Sequence, residues 1–281
     1  MSSRVRRAGG KSTLRLTLAA TVTPLASILG SGLLIIVPIL ERTLGALAML
    51  GVLGILVIAW FVGSVIRHNV VALETAEANH TLDERTALIN RIGDAVIVVA
   101  YVISVALYLR IMAQYIVGFF RSGGDPVVES IIAGAVVVLI VVIGAVRGFA
   151  GLDRLDRYSL ATVLALTVVL VAALLTHDAG VVASGEFALP PIPEVDSWTT
   201  LLILGGTVIT VQGFETVRFL GAQYDATIRV TASRYAQLAA AAIYVAFVIV
   251  ATPAMGLGTA SGADVTLLTI TARAAPWLAL P

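Results

Sequence analysis

The chain has 281 residues, of which 59% are hydrophobic and 12% charged, and its formal net charge is +1. A soluble domain carries about 25% charged residues, so this composition describes a polytopic membrane protein with the lipid bilayer as its solvent. The absence of cysteine excludes disulfides, thiol catalysis and thiolate metal sites, and no basic patch interleaved with aromatics supports nucleic-acid binding.

In chain order, Met1 to Arg15 carries Arg4, Arg6, Arg7, Lys11 and Arg15. The apolar run that follows is too long for a signal-peptide core, and no clear small-residue cleavage site ends it. Residues 1–15 therefore read as a cytoplasmic tail before a retained helix. About 20 apolar residues span a bilayer as a helix, and the gaps between charges predict seven spans. The first is Leu16 to Leu40 and the second Thr43 to Ile66, followed by a polar connection, His68 to Arg91, expected at the membrane surface. The third is Gly93 to Phe120, interrupted only by Arg110. A Gly-Gly-Asp-Pro turn at Gly123 to Pro126 leads to the fourth, Val127 to Val146, and a charged loop, Arg147 to Arg157, to the fifth, Tyr158 to His177. A Pro-rich acidic loop, 178–196, precedes the sixth span, which begins at Ser197 and fades near Leu220. A polar loop, Gly221 to Arg234, leads to the seventh, Tyr235 to Leu257. The apolar stretch Ala263 to Pro281 reads as a partial eighth span or a short surface helix. His68, His80 and His177 all fall near segment ends or in loops, unlike the ligands of a bilayer haem.

Loop charge sets the orientation. The five basic residues of the tail, with Arg67, Arg85, Arg91, Arg147, Arg154, Arg157, Arg218, Arg229 and Arg234, are fourteen of the 18 Lys and Arg. All fall on one side if the spans alternate. The predicted protein sits in the cytoplasmic membrane with its N-terminus in the cytoplasm, and residues 178–196 form an extracytoplasmic loop.

Two spans carry residues that a lipid-facing helix has no reason to hold. The middle of the first reads Leu29-Gly30-Ser31-Gly32. Glycine costs roughly 1 kcal/mol against alanine inside a helix. It also permits the backbone to leave helical dihedrals. In a membrane, unwound backbone survives only when buried in protein or lining a cavity. The sixth span reads Gly205-Gly206-Thr207-Val208-Ile209-Thr210-Val211-Gln212-Gly213-Phe214-Glu215. Gln212 and Glu215 are costly there unless they meet a cavity or a partner. The first and sixth spans are five apart, an odd number, so the broken helices run in opposite directions. Inverted repeats with a midplane site have that arrangement.

The chemistry follows from the break. The half-helix after Gly32 presents free N–H groups and the positive end of its dipole, which suit a carboxylate. The carbonyls around Ser27 to Leu29 suit a cation or an amino group. One break can hold both ends of a zwitterion.

The stretch Ser27-Ile28-Leu29-Gly30-Ser31-Gly32-Leu33-Leu34 resembles the first-helix signature of the amino acid–polyamine–organocation (APC) superfamily. Val211-Gln212-Gly213-Phe214-Glu215 resembles that family's sixth-helix pattern. The likeness extends over the chain in span order, loop character and polarity. It departs at Gln212, where a small residue is usual, and at Thr210 and Val211, where aromatics are usual. A solute other than an amino acid therefore stays open. The resemblance implies an all-α, leucine-transporter-like bundle with ten core helices in two inverted repeats of five. Residues 16–177 would form the first repeat and 197–281 the start of an incomplete second, so a C-terminally truncated chain is expected. The implied substrate-binding residues are Ser27, Gly30, Ser31, Gly32, Gln212 and Gly213, with Phe214 as an aromatic lid. Tyr101, Tyr108 and Tyr115 line one face of the third span. That helix borders the substrate cavity in the family, so Tyr108 is a further contact.

Other readings stand beside these. Gly30 to Gly32 could serve close helix packing. Gln212, Gly213 and Phe214 could be interhelical glue, a packing glycine and a lipid-facing ring. Glu215 and Arg218, three residues apart, could be a local ion pair or a cytoplasmic gate. Arg110 could snorkel to the outer surface or meet an anionic partner. Some relatives use a fifth-helix lysine in proton coupling, and the fifth span here has none. A coupling sodium ion, another proton carrier or uncoupled exchange remain open, with no resident cofactor or metal expected. The leading expectation is a secondary active transporter of small organic solutes, amino acids or related amines, working by alternating access and not an enzyme. The alternatives are a membrane receptor that senses its ligand without flux and a structural subunit. Substrate identity and oligomeric state are not legible.

Overall fold

A computed structural model describes residues 10–30, 32–120 and 125–255. Among them are seven α-helices and no strand: α1 (Gly10–Leu29), α2 (Gly32–Leu44), α3 (Ala48–Ala78), α4 (Glu84–Phe120), α5 (Pro126–Ser184), α6 (Ser197–Thr207) and α7 (Ala226–Ala251). Short 3₁₀ segments cover Gly45–Leu47, Val208–Val211, Phe214–Leu220 and Thr252–Ala254. A helix satisfies its backbone polar groups internally, which long runs of Leu, Val, Ile and Ala in a bilayer require.

Among the described residues, six stretches are long and apolar enough to cross a membrane: Ile35–Ala78, Glu84–Gly118, Pro126–Gly148, Arg154–Ser184, Ser197–Leu220 and Ala226–Ala254. Thr13–Leu29 is a shorter apolar helix. The difference from seven predicted spans lies in the first. Its interruption leaves α1 short and joins its other half to the second span. This is an integral membrane protein. The stretch Ala263 to Pro281 lies outside the described residues.

The helices outrun the gaps between charges. The expected surface connection 68–91 is mostly helix, because α3 continues to Ala78 and α4 starts at Glu84. The expected loop 147–157 lies within α5, which is interrupted only at Gly148 (φ 59°, ψ −160°). The expected loop 221–234 gives way to α7 at Ala226. The cause is common to all three. Charges mark where a helix leaves hydrocarbon, while Glu, Arg, Ala and Gln continue a helix readily in water.

The chain divides into two compact units, residues 1–71 with 157–281, and residues 72–156. The first holds the continuous apolar core, built from Ile28, Leu29, Ile36, Leu40, Phe214 and Tyr244 among others. There α7 packs chiefly against α1. At the far end of α2 the chain turns through Gly45 (φ 52°), and the carbonyl of Pro191 fills the place a side chain would need. The expected loop 178–196 is helical as far as Ser184, where α5 ends, and its Pro-rich remainder, 185–196, is thereby seated on the α2–α3 junction. It ends at Asp196, whose carboxylate caps α6 by accepting from the N–H groups of Trp198 (2.9 Å) and Thr199 (3.1 Å). In the second unit, Ser104, Ala113, Val117 and Glu129 are buried, while Val96, Val102, Ile103 and Val138 are more than half exposed. Apolar surface on that scale suits hydrocarbon.

Candidate functional site

The first interruption lies between the end of α1 at Leu29 and the start of α2 at Gly32. Ser31, expected to bind substrate, lies outside the described residues. The second interruption is longer. After α6 the backbone tightens into 3₁₀ geometry over Val208–Val211, becomes extended at Gln212 (φ −74°, ψ 162°) and reverses at Gly213 (φ 134°, ψ −20°). A residue with a side chain rarely takes that last conformation. The 3₁₀ segment Phe214–Leu220 follows.

The two interruptions touch. A Cβ placed on Gly213 would stand 2.6 Å from the backbone nitrogen of Ile28 and 2.6 Å from the Cβ of Ser27. A Cβ on Gly32 would collide with the carbonyl oxygen of Thr210 and the hydroxyl of Tyr244. Each break thus presses a glycine onto the other's backbone. Gly30 differs, since a Cβ there would make only ordinary contacts, 3.6 Å from the Ser27 carbonyl.

Tyr244 of α7 is fully buried and lies between the breaks. Its hydroxyl is 2.9 Å from the carbonyl of Ile28 and 2.9 Å from that of Thr210. A phenol has one proton, so it donates to one of these carbonyls at a time. Glu215 turns back into its own break. Its buried carboxylate accepts from the N–H of Gly213 at 2.8 Å, and the hydroxyl of Thr216 donates to the Gly213 carbonyl at 2.7 Å. The expected pairing or gating role of Glu215 with Arg218 is joined by this local one, holding the reversed glycine in place.

Among the other expected site residues, the side chains of Ser27 and Gln212 are exposed and flank the contact, and Gly30 is half-buried. Phe214 is 2% exposed and packs in the core, and its carbonyl accepts from the Ser233 hydroxyl at 3.4 Å. Tyr108 is half-buried on α4 and belongs to the unit 72–156, apart from the unit that carries both breaks. Among the described residues no group of three or more His, Asp or Glu could hold a metal ion.

Sequence reasoning missed Tyr244 and Arg229. Arg229 is 2% exposed. Its guanidinium donates to the carbonyls of Tyr224 (3.0 Å), Val217 (3.1 Å) and Arg218 (3.4 Å), closing the end of the 214–220 segment. A tyrosine in the middle of the apolar seventh span was the available signal for the first. Arg229 had none beyond its place in a polar stretch.

A family model described as "APC superfamily transporter" matches residues 12–281. The chain belongs to the APC superfamily of transporters. A relative by sequence is a protein of Aquifex aeolicus (strain VF5), described as an uncharacterized protein. It is 32% identical over 235 residues, which are 82% of this chain and 56% of the relative. The chain therefore spans little more than half the length of that relative. No solved structure matches this APC chain.

Proposed function

We propose that this protein is a secondary active transporter of small organic solutes, amino acids or related amines, working by alternating access. The observation that carries the reading is the direct contact between the two helix interruptions, Gly213 against Ser27 and Ile28, within a chain of the APC superfamily. Interrupted helices place unpaired N–H and C=O groups at membrane depth, where a polar solute can replace the missing partners.

In this reading the N–H groups at Gly30, Ser31 and Gly32 receive the carboxylate or another anionic end of the solute. Carbonyls at the end of α1 receive its amino end. Gln212 and Gly213 complete the site and Phe214 closes over it. Glu215 and Arg218 act at the gate. The two breaks belong to inverted repeats, with the N-terminus in the cytoplasm of a cell bounded by this membrane. Coupling is to a sodium ion or a proton. No bond in the solute is made or broken.

The test is uptake by proteoliposomes of the full-length protein, offered labelled amino acids and amines singly under a sodium or a proton gradient. Saturable, gradient-driven uptake that Gly213→Ala abolishes is expected. Saturable binding without flux would replace this reading with a sensor, and neither binding nor flux would replace it with a structural subunit.

A further inference from the structure

A groove of about 520 Å³ runs between α3 and α7. Its walls are apolar, among them Leu53, Val57 and Phe61 from α3 and Leu238, Ala241 and Val245 from α7. Its floor includes Ile28 and Val211, one residue from each helix interruption. The helices are antiparallel along it, since the Gln237 side chain donates to the Ala59 carbonyl (2.9 Å) while Arg67, further along α3, donates to Ser233, earlier on α7 (3.5 Å).

At one end the groove changes character. Trp60 lines both the groove and a second pocket of about 430 Å³, whose polar lining is Ser64, Arg67, His68 and Arg234. No carboxylate lines this pocket among the described residues. Arg67 is 4% exposed. Its guanidinium donates to the Gln237 side-chain oxygen, to Ser64 Oγ (2.7 Å) and to Ser233 Oγ (3.5 Å), and it lies 4.7 Å from the centre of the Trp60 ring. Every one of these partners is neutral. Arg234, which is exposed, lines the same pocket. A buried cation with only neutral partners beside a second cation is costly unless an anion completes the site.

We propose that this groove and pocket form one site for an anionic phospholipid, with the phosphate headgroup held between Arg67, His68 and Arg234 and an acyl chain lying along the groove between α3 and α7. The dimensions agree. Leu53 and Arg67 are 14 positions apart on one helix, roughly 20 Å at 1.5 Å per residue. One leaflet of hydrocarbon is about 15 Å deep. The cationic end also lies on the side of the basic loops, where Arg67 and Arg234 mark the ends of two predicted spans. Basic pockets between helices at that level select anionic headgroups. The proposal does not depend on which solute is carried.

Trp60 provides the readout. The full-length protein is reconstituted in phosphatidylcholine vesicles containing increasing fractions of brominated phosphatidylglycerol or brominated phosphatidylcholine. The quenching that wild type shows and Trp60→Phe lacks reports lipid at the site. Brominated phosphatidylglycerol is expected to saturate this signal at the lower mole fraction. Arg234→Gln, an exposed change, should raise that fraction about fivefold. High salt should weaken the preference. Equal quenching by both lipids, a preference unmoved by Arg234→Gln, or no Trp60-dependent quenching would each overturn the proposal. Release of the lipid by millimolar inorganic phosphate at constant ionic strength would also overturn it, by showing a simple anion pocket.

Discussion

The carbonyl oxygens of Ile28 and Thr210, which end two different interrupted helices, each lie 2.9 Å from the single hydroxyl of Tyr244. One proton serves two acceptors, so one carbonyl is always short of a full hydrogen bond from that group. Tyr244→Phe should therefore destabilise the protein by about 1–3 kcal/mol, the usual cost of leaving a buried carbonyl unpaired. Thermal unfolding in detergent checks the loss. In the transport reading the same change alters solute affinity, because both carbonyls border the proposed site.

The glycines of the first interruption should separate on mutation. Gly32→Ala drives a methyl into the Thr210 carbonyl and the Tyr244 hydroxyl and should cost about 1–3 kcal/mol. Gly30→Ala meets ordinary contacts at 3.6 Å and should leave the unfolding temperature nearly unchanged. Equal effects of the two would contradict the packing described.

Arg229 closes the 214–220 segment through three backbone carbonyls. Arg229→Ala should destabilise by about 1.5–3 kcal/mol per charge-assisted bond lost without replacement. Arg229→Lys should recover little, since an ammonium cannot present the planar fork that reaches carbonyls on both sides. Protease sensitivity of residues 214–224 gives a local readout beside global unfolding.

The α6 cap carries a pH dependence. Hydrogen bonds from Thr199, side chain first and then backbone, with that of Trp198, hold the Asp196 carboxyl below its ordinary range. A depressed folded-state pKa contributes stability above the unfolded-state value, and the contribution is lost as pH falls through the folded one. Amide exchange at Trp198 and Thr199 should be slow at neutral pH and quicken under acid, beyond the intrinsic pH trend. Asp196→Asn should keep the protection and remove this acid sensitivity.

The two interrupted helices were legible in the sequence because their signal is local. Gly30 to Gly32 and Gln212 to Glu215 put helix-breaking and polar residues where an apolar span should be continuous. The reversal at Gly213 is of this kind. Tyr244 and Gln237 were not legible, because each is a single polar residue whose partner lies far away in sequence. Gln237 reaches Ala59, and Tyr244 reaches Ile28. Helix ends were also misread where charge was taken for a boundary, as at Arg67 in α3 and Arg234 in α7. In both, the helix runs on past the charged residue.

The central claim is that the touching helix breaks form the solute site. The chain has no native cysteine, so Ser27→Cys and Gln212→Cys each introduce a single thiol, at exposed positions flanking the contact. The decisive measurement is the rate at which a small thiol reagent labels each variant in proteoliposomes, with and without a solute the protein takes up. The account predicts that this solute slows labelling at both positions, half-maximally at the concentration that half-saturates uptake. Labelling rates unchanged at saturating solute, at both positions, would contradict it.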